Sequence, residues 1–411
     1  MTQKYQSDLL NLLHDRGYIH QITDENGLDQ LAQQQIVPGY IGFDATAPSL
    51  HIGSLVQIMM LRRLQQAGHK PIVIMGGGTT KIGDPTGKDE SRKMLSQEDI
   101  DNNINSISNI FKQFLNFGDG PTDAVIIDNS DWLDKLEYLP FLRDVGRHFT
   151  INRMLSFESV KLRLDREQPL TFLEFNYMIL QAYDYLTLAK ERGCRLQMGG
   201  SDQWGNIVNG IELTRRIESI QAFGLTTPLI TTADGGKMGK TANGAIWLNA
   251  DQLSPYDYWQ FWRNVQDADV GRFMRLFTDI PLSTIAEYEK LEGAEINDAK
   301  KILADACTAM AHGEDAAAQA ADTAAKVFEQ GSIGEDLPNF AHNGDAISLI
   351  DAMVELQLVA SKKEARRMIA AGAARIEGEA ITDENHIIAD SGVDLKISAG
   401  KKKHGLLHFA K

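Results

Sequence analysis

The sequence predicts an α/β protein in which a parallel-sheet domain is followed by an all-α stretch and a small α+β tail. Three observations carry that prediction. Over the first half, short continuous apolar runs alternate with helical periodicity; from residue 254 long Ala-rich helical stretches replace them; and a Gly-, Pro-, Asn- and Asp-rich break at 331–345 precedes a compact tail. The 411 residues suit two or three domains, each large enough to bury its own core.

The N-terminal MTQKYQSDLLNLLHDRG has the polar and apolar spacing of an amphipathic helix. Residues 39–43 (GYIGF) read as a short buried strand, 50–67 as a helix ending at Gly68, and 71–75 (PIVIM) as a second, wholly apolar strand. Strand, helix and strand at this spacing form a βαβ unit, and an unbroken apolar run implies a parallel sheet covered on both faces. Further strands are expected at 124–127 and 195–198, each running into a polar segment, DNSDW and GGSDQWGN. Ligands of open α/β sheets bind beyond the carboxyl ends of the strands, so these segments are expected to line one crevice. Residues 254–330 read as helices and the tail from 346 as two helices with short strands.

Composition excludes several classes of function. No apolar run approaches the roughly 20 residues that span a bilayer, and the polar N-terminus lacks the apolar stretch of a secretory leader. A cytoplasmic protein in a reducing compartment is expected. Cys194 and Cys307 stand alone, forming neither a disulfide framework nor a zinc-ligand pair. The net charge of −15 argues against wholesale nucleic-acid binding. However, 346–411 carries ten Lys and Arg against nine Asp and Glu, so the tail is at +1 while the rest of the chain is at −16. Any RNA contact is expected to be local.

Two segments carry phosphate chemistry. In the first, Tyr40-x-Gly-Phe-Asp44-x-Thr46 leads through a polar turn to His51-Ile-Gly53-Ser54, where a helix begins. Free N–H groups and the positive dipole end at that terminus suit a triphosphate. Gly53 lets an adenine ring approach the backbone, and His51 is placed to donate to a phosphate oxygen. The second segment, Lys237-Met-Gly-Lys240-Thr241 within a Gly-rich loop at 234–244, offers two cations and a hydroxyl that can neutralise phosphate charge. Taken singly, each also reads as a capped core helix or a solvated basic loop; their joint occurrence in this order favours ATP. Gly83 to Asp89 is not a P-loop, since it has three intervening residues instead of four and Asp89 where a magnesium-holding Ser or Thr belongs. The triple glycine at 76–78 lacks the dinucleotide-binding spacing.

With FDATAPSLHIGS, QQAGHKP, IGDPTGK, FNYMILQAYDY, GGSDQWGN, TPLIT and SPYDYWQFW following in order, the chain resembles bacterial tyrosyl-tRNA synthetases of class I over nearly its whole length. The resemblance implies a Rossmann-like catalytic domain at 1–250 with a dimer-forming insertion at about 130–172 and the lysine loop at 234–244. It also implies an α-helical anticodon-region domain at 251–330, a linker at 331–345, and a small RNA-binding module at 346–411. Phe172 is the candidate interface contact of a homodimer. The implied reaction joins L-tyrosine to ATP as tyrosyl-adenylate with loss of pyrophosphate, Mg²⁺ accompanying the phosphates. It then transfers tyrosine to the 3′-terminal ribose of tRNA(Tyr).

By the same resemblance, Tyr40 and Asp184 hold the substrate phenol, Asp84, Tyr177 and Gln181 its ammonium group, Gln203 lies near its carboxylate, and Asn129 supports this side. Tyr177, Gln181 and Asp184 lie at i, i+4 and i+7, so one helix face presents all three. A pocket that hydrogen-bonds a hydroxyl rejects phenylalanine; this family is the established example, at a factor on the order of 10⁵. Gly200 and Asp202 are implied ribose contacts. Asp44, Thr46 and His51 are implied ATP-phosphate residues, joined by Lys88, Arg92, Lys237, Lys240 and Thr241; no protein-bound metal is implied. Ser54 stands where the family usually has a second histidine, a shorter and uncharged substitute. In SKKEARR, Lys362, Lys363, Arg366 and Arg367 gather four cations on one helix, enough to position RNA phosphates, and Lys401, Lys402 and Lys403 form a second cluster in the tail. A tryptophan enzyme of the same class fits less well, because an indole offers one donor and does not need the Tyr40 and Asp184 pair. A catalytically silent RNA-binding relative fits less well too, since His51, Asp84, Asp202, Lys237 and Lys240 are all retained.

Overall fold

A computed structural model describes residues 4–85, 94–233, 235, 238, 240–241, 244–328, 338–390, 392–400 and 403–409. Its contacts divide the chain into two compact units, Met1–Glu314 and Asp315–Lys411.

In the first unit α1 (Asp8–Asp15), β1 (Gln21–Ile22) and α2 (Glu25–Gln34) precede β2 (Pro38–Phe43), α3 (Ile52–Gln66) and β3 (Lys70–Met75). Then come α4 (Gln97–Phe114), β4 (Val125–Asp128), four short helices between 130 and 165, α5 (Phe172–Arg192), β5 (Leu196–Gly200), α6 (Trp204–Glu218) and β6 (Phe223–Thr227). The sheet order is β1-β6-β5-β2-β3-β4, with only β1 antiparallel among them. From β2 the chain winds outward through β3 to β4, and from β5 the other way to β6. Adjacent β2 and β5 therefore form the switch point, where an open sheet leaves a crevice at its carboxyl edge.

Local chemistry explains the boundaries. Ser96 and Asp99 form a capping box on α4, and Thr171 and Glu174 form one on α5. Helix α5 ends at Gly193, whose φ of 64° closes the last turn in the left-handed region. One face of α5 places Tyr185, Leu188 and Ala189 against Tyr40, Ile72 and Ile74 of the sheet. Another places Met178, Ala182 and Leu186 against Val145, Met154 and Val160 of the short-helix segment. Polar residues on α5 are consequently aimed by packing on two sides.

A two-stranded ribbon, β7 (Lys240–Thr241) and β8 (Gly244–Ala245), precedes the helical region α7 (Pro255–Arg263), α8 (Val270–Phe277), α9 (Leu282–Tyr288) and α10 (Ile296–His312). Ser254 caps α7 and Pro255 occupies its first turn, where a missing N–H costs nothing. The C-terminal end of α8 is tied to the sheet domain. Arg16 donates to the carbonyls of Arg275, Thr278 and Ile280, while Arg62 and Arg63 of α3 both pair with Asp279. The Arg16 bonds to Arg275 and Thr278 satisfy carbonyls that the helix end leaves open.

In the second unit, α11 (Glu314–Phe328), which starts one residue before it, leads to β9 (Asn339–His342), β10 (Ala346–Ser348), α12 (Leu349–Glu355) and α13 (Lys362–Ala370). Strands β11 (Ala374–Ile376), β12 (Glu379–Ile381), β13 (Ile387–Ala389), β14 (Leu395–Ala399) and β15 (Lys403–Phe409) complete it. The main sheet runs β12-β11-β14-β15-β9 over a core including Leu349, Met353, Ile369, Ile397 and Leu407. Residues 339–342 were expected in a linker but form a strand pairing in parallel with β15, because Phe340 packs on that core. On α13, Ala365 and Ile369 face inward while Lys362, Lys363, Arg366 and Arg367 are exposed.

Candidate active site

The strand ends at the switch point carry the polar residues. Asp44 follows β2, the triple glycine follows β3, Asn129 follows β4, and Asp202 and Gln203 follow β5. The glycines permit close approach. A Cβ on Gly76 would stand 2.4 Å from an Asp44 oxygen and 2.5 Å from Thr79 Oγ1, and one on Gly77 would stand 2.3 Å from Asp128 Oδ1. Only backbone fits there.

Six side chains form a continuous hydrogen-bonded chain. Asp184, on α5, accepts from Trp132 Nε1 at 2.7 Å and from Asn129 Nδ2 at 3.0 Å. Asn129 Nδ2 also donates to Thr79 Oγ1 at 3.1 Å, and Asn129 Oδ1 accepts from Gly78 N at 2.8 Å. The Thr79 hydroxyl donates to Asp44 Oδ1 at 2.8 Å, and the Tyr177 hydroxyl donates to Asp44 Oδ2 at 3.1 Å. Beside this chain, Gln203 Nε2 donates to Asp84 Oδ2 at 3.0 Å and is itself steadied by Asn206 Nδ2 at 3.0 Å.

Burial sets the proton positions. Asp184 is only 3% exposed, and desolvation raises its pKa to about 7 against the opposing pull of the Asn129 and Trp132 hydrogen bonds. Burial, and after it the Asp184 charge, keeps the Tyr40 hydroxyl protonated well beyond the ordinary phenol range. Tyr177 is held protonated in the same way, by burial first and Asp44 second. The Asp202 carboxyl is raised by desolvation and then by Asp84.

Two polar atoms of this assembly are buried without a protein partner: the Tyr40 hydroxyl and Gln181 Oε1. Leaving such groups unpaired costs about 1–3 kcal/mol each, so their concentration beside the buried Asp184 carboxyl marks a place for a polar ligand. The Tyr40 ring is fixed edge-on to Tyr185 at a centroid distance of 5.2 Å, so its hydroxyl is aimed rather than free to swing.

At the start of α3, His51 Nδ1 accepts from Gly53 N at 3.0 Å, which puts the proton of a neutral ring on Nε2. A Cβ on Gly53 would stand 2.7 Å from that ring, so glycine alone allows the fold-back. Segment 246–248 pairs with this turn: Ile52 N donates to Ile246 O at 2.9 Å and Leu248 N to Leu50 O at 2.9 Å. The buried Met238 lies over Gly53, with its carbonyl 3.6 Å from the same Cβ position. Gly200 meets α3 near Gln57, while Thr46 is exposed and Ser54 half-buried. Lys88, Arg92 and Lys237, and the side chains of Lys240 and Thr241, lie outside the described residues, as do Lys401 and Lys402.

The structure thus brings Tyr40, Asp44, Asn129, Tyr177 and Asp184 together, sets Asp84 with Gln203 beside Asp202, and gathers His51, Gly53 and Ser54 at one helix terminus. Sequence reasoning missed Trp132, Thr79 and Asn206. Trp132 and Asn206 sit inside quoted motifs, but nothing local ties Trp132 to a carboxylate 52 positions away.

A family model for class I tRNA synthetases (W and Y) matches residues 34–329, and one for the tyrosine–tRNA ligase SYY-like C-terminal domain matches 328–407. The chain is 65% identical over 407 residues to the tyrosine–tRNA ligase of Zymomonas mobilis, covering 99% of each chain. It is 62% identical over 410 residues to that of Novosphingobium aromaticivorans, covering all of both. Among solved structures, a C-terminally truncated mitochondrial tyrosyl-tRNA synthetase of Aspergillus nidulans superposes with a TM-score of 0.71 at 28% identity, over 79% of this chain and 95% of that one. By these matches, which run from the sheet domain through the C-terminal unit, the chain belongs to the class I tRNA synthetases and, within them, to the tyrosine–tRNA ligases.

Proposed function

We propose that the buried assembly around Asp184 is the tyrosine pocket of this ligase, and that the terminus of α3 with the lysine segment is its ATP site. The observation that carries this reading is the pairing of an unpartnered, protonated Tyr40 hydroxyl with the Asp184 carboxyl: one donor and one acceptor for a phenol. Tyr177, Gln181 and Asp84 take the ammonium end. Asp44 belongs with them, since its carboxylate already holds Tyr177 and Thr79 and would repel phosphate. Gln203 lies toward the carboxylate, and Gly200 and Asp202 toward the ribose. Thr46, His51, Gly53 and Ser54, with Lys88, Arg92, Lys237, Lys240 and Thr241, take the phosphates.

The tyrosine carboxylate attacks the α-phosphorus in line; the bond to the bridging oxygen breaks and pyrophosphate departs. A ribose hydroxyl of tRNA(Tyr) then attacks the adenylate carbonyl, and AMP leaves. No protein nucleophile is needed, so rate comes from positioning and from charge stabilisation on the leaving group. The described residues contain no group of three or more His, Cys, Asp or Glu fit to hold a metal. Mg²⁺ would accompany the ATP phosphates, supplying charge neutralisation there.

The domain roles follow: catalysis in 1–250, anticodon-region contacts in the helices of 251–330, and RNA-phosphate contacts from α13 in 346–411, all in the cytoplasm. Tyrosine-dependent exchange of ATP and pyrophosphate tests the site. Lys237→Ala is expected to slow exchange by about 10²–10³-fold while the KM for tyrosine stays within twofold. Exchange stimulated by tryptophan alone, or a Lys237→Ala enzyme that loses tyrosine binding, contradicts the assignment.

The chain would work as a homodimer through 130–172. Ile151, Leu162, Leu164 and Phe172 are exposed there, Phe172 by 70%, an apolar surface that a second copy of the chain can cover. Sedimentation equilibrium should give twice the chain mass, falling to one chain mass for Phe172→Asp. A monomeric wild type rules the dimer out.

A further inference from the structure

Helix α8 is eight residues long, too short to persist alone, and Val270, Phe273, Met274, Leu276 and Phe277 on it are buried. Its C-terminal end is clamped to α3 by Asp279 with Arg62 and Arg63. Its N-terminal end makes a different attachment. Asp269, only 2% exposed, accepts from the backbone N–H of Ala233 at 2.9 Å and pairs with Arg272 at 2.5 Å, and Arg272 donates to the carbonyl of Thr231. One acidic and one basic side chain thus grip a donor and an acceptor two residues apart on the backbone that leads to the lysine segment. The far side of that segment is tied to the His51 turn through Ile246 and Leu248, and Met238 N donates to Ile230 O at 3.2 Å. One short helix therefore links the body of α3, which His51 caps, to the entry of the lysine segment.

A partly buried ion pair adds little net stability, so packing alone does not call for charges at this point. The pair does match backbone polarity: carboxylate to N–H, guanidinium to C=O, a geometry that fixes both the position and the direction of the chain at Thr231 and Ala233. Lys237 lies four residues beyond Ala233.

We propose that Asp269 and Arg272 are positioning residues for adenylate formation: by gripping Thr231 and Ala233 they fix the backbone from which the chain enters the lysine segment, on which the proposed action of Lys237 depends. The inference rests on the phosphate role proposed above for Lys237. It places the effect on the chemical step, not on tyrosine binding.

The test is ATP–pyrophosphate exchange by the full-length enzyme, with equilibrium tyrosine binding and the thermal midpoint measured on the same samples. Arg272→Met and Asp269→Ala are expected to lower kcat by about 10–100-fold, the scale of a small misplacement remote from the reacting atoms, with tyrosine affinity within twofold. Arg272→Lys, which keeps the charge but loses the planar fork, should recover part of the loss. In a Lys237→Ala background, Arg272→Met should change kcat by less than about threefold, since the group it positions is gone. If Asp269→Ala does not fold, the half-exposed Arg272 series carries the test by itself. A full multiplicative loss in the Lys237→Ala background, or a loss of tyrosine affinity equal to the loss of kcat, overturns the inference. A normal Arg272→Met enzyme beside a crippled Lys237→Ala enzyme overturns it while leaving the phosphate role of Lys237 intact. An active Lys237→Ala enzyme removes that role, and the inference with it.

Discussion

Replacing Asp184 with alanine lowers kcat/KM for tyrosine in ATP–pyrophosphate exchange by about 10²–10³-fold, while activity with phenylalanine changes far less. The carboxylate is the acceptor for the phenol proton in an enclosed site, and a hydrogen bond to a charged group contributes about 1.5–3 kcal/mol. Its loss also releases Trp132 and Asn129, which bond the same carboxylate at 2.7 and 3.0 Å, so the pocket wall loses its orientation as well. A decrease below tenfold would show that Asp184 is not the phenol's partner. The intact residue has its own pH signature. Burial lifts its carboxyl from the ordinary range to about 7, the charges of Asp44 and Asp128 adding to the rise. Between the unfolded value near 4 and about 7 the folded, ligand-free protein therefore holds an extra proton. This group's contribution to stability is full at low pH and is lost as pH rises through that window. Tyrosine binding runs the other way, because the phenol needs the ionised acceptor: affinity rises from pH 5.5 to about 7 and then levels. A titration of tyrosine affinity that is flat from pH 5.5 to 8 contradicts this.

Glu174→Ala destabilises the first unit by about 3–5 kcal/mol, because it breaks a buried ion pair and a helix cap together. The side chains of Arg163 and Glu174 are 2% and 4% exposed and stand 3.5 Å apart. Arg163 Nε also bonds Pro169 O at 3.1 Å, and Glu174 accepts from Thr171 N at 3.1 Å and Thr171 Oγ1 at 2.9 Å. Truncation breaks the pair and the capping box together, freeing the first turn of α5. Tyr177 is on the next turn, so the KM for tyrosine rises with the loss of stability. Circular dichroism during urea unfolding measures the change. The double variant Arg163→Met, Glu174→Leu should regain most of it, as apolar replacement of buried pairs often does. An unmoved midpoint for Glu174→Ala, or a double variant as weak as the single, would show that the pair is not what anchors this turn.

The sheet domain was legible because β3, buried from Pro71 to Met75, appears as an unbroken apolar run, and the other strands fall around it at the spacing of βαβ units. The expected strands at 39–43, 71–75, 124–127 and 195–198 became Pro38–Phe43, Lys70–Met75, Val125–Asp128 and Leu196–Gly200. The polar segments following them do meet at one edge, as the parallel topology requires. The strand at 339–342 was illegible because its Gly-, Pro- and Asn-rich flanks carry the same signal as a linker, and its pairing partner, β15, lies more than sixty residues away. At the site, Tyr177, Gln181 and Asp184 could be aligned from helical periodicity alone. Trp132 and Thr79 could not, since a hydrogen bond reaches about 3 Å and chain spacing says nothing about which residues come that close. Asp44 shows the same limit: its motif pointed to phosphate, its hydrogen bonds to Tyr177 and Thr79.

The amino-acid sequence by itself determined the chemical inventory, the class of ligase and the order of its segments, because motif spacing along one strand or helix is set by backbone geometry. Only the tertiary structure decided the protonation of Asp184, the unpartnered hydroxyl of Tyr40 and the grip of Asp269 and Arg272 on Thr231 and Ala233. Each of these depends on how much water is excluded and on which distant groups replace it, and that is a property of packing, not of the order of residues in the chain.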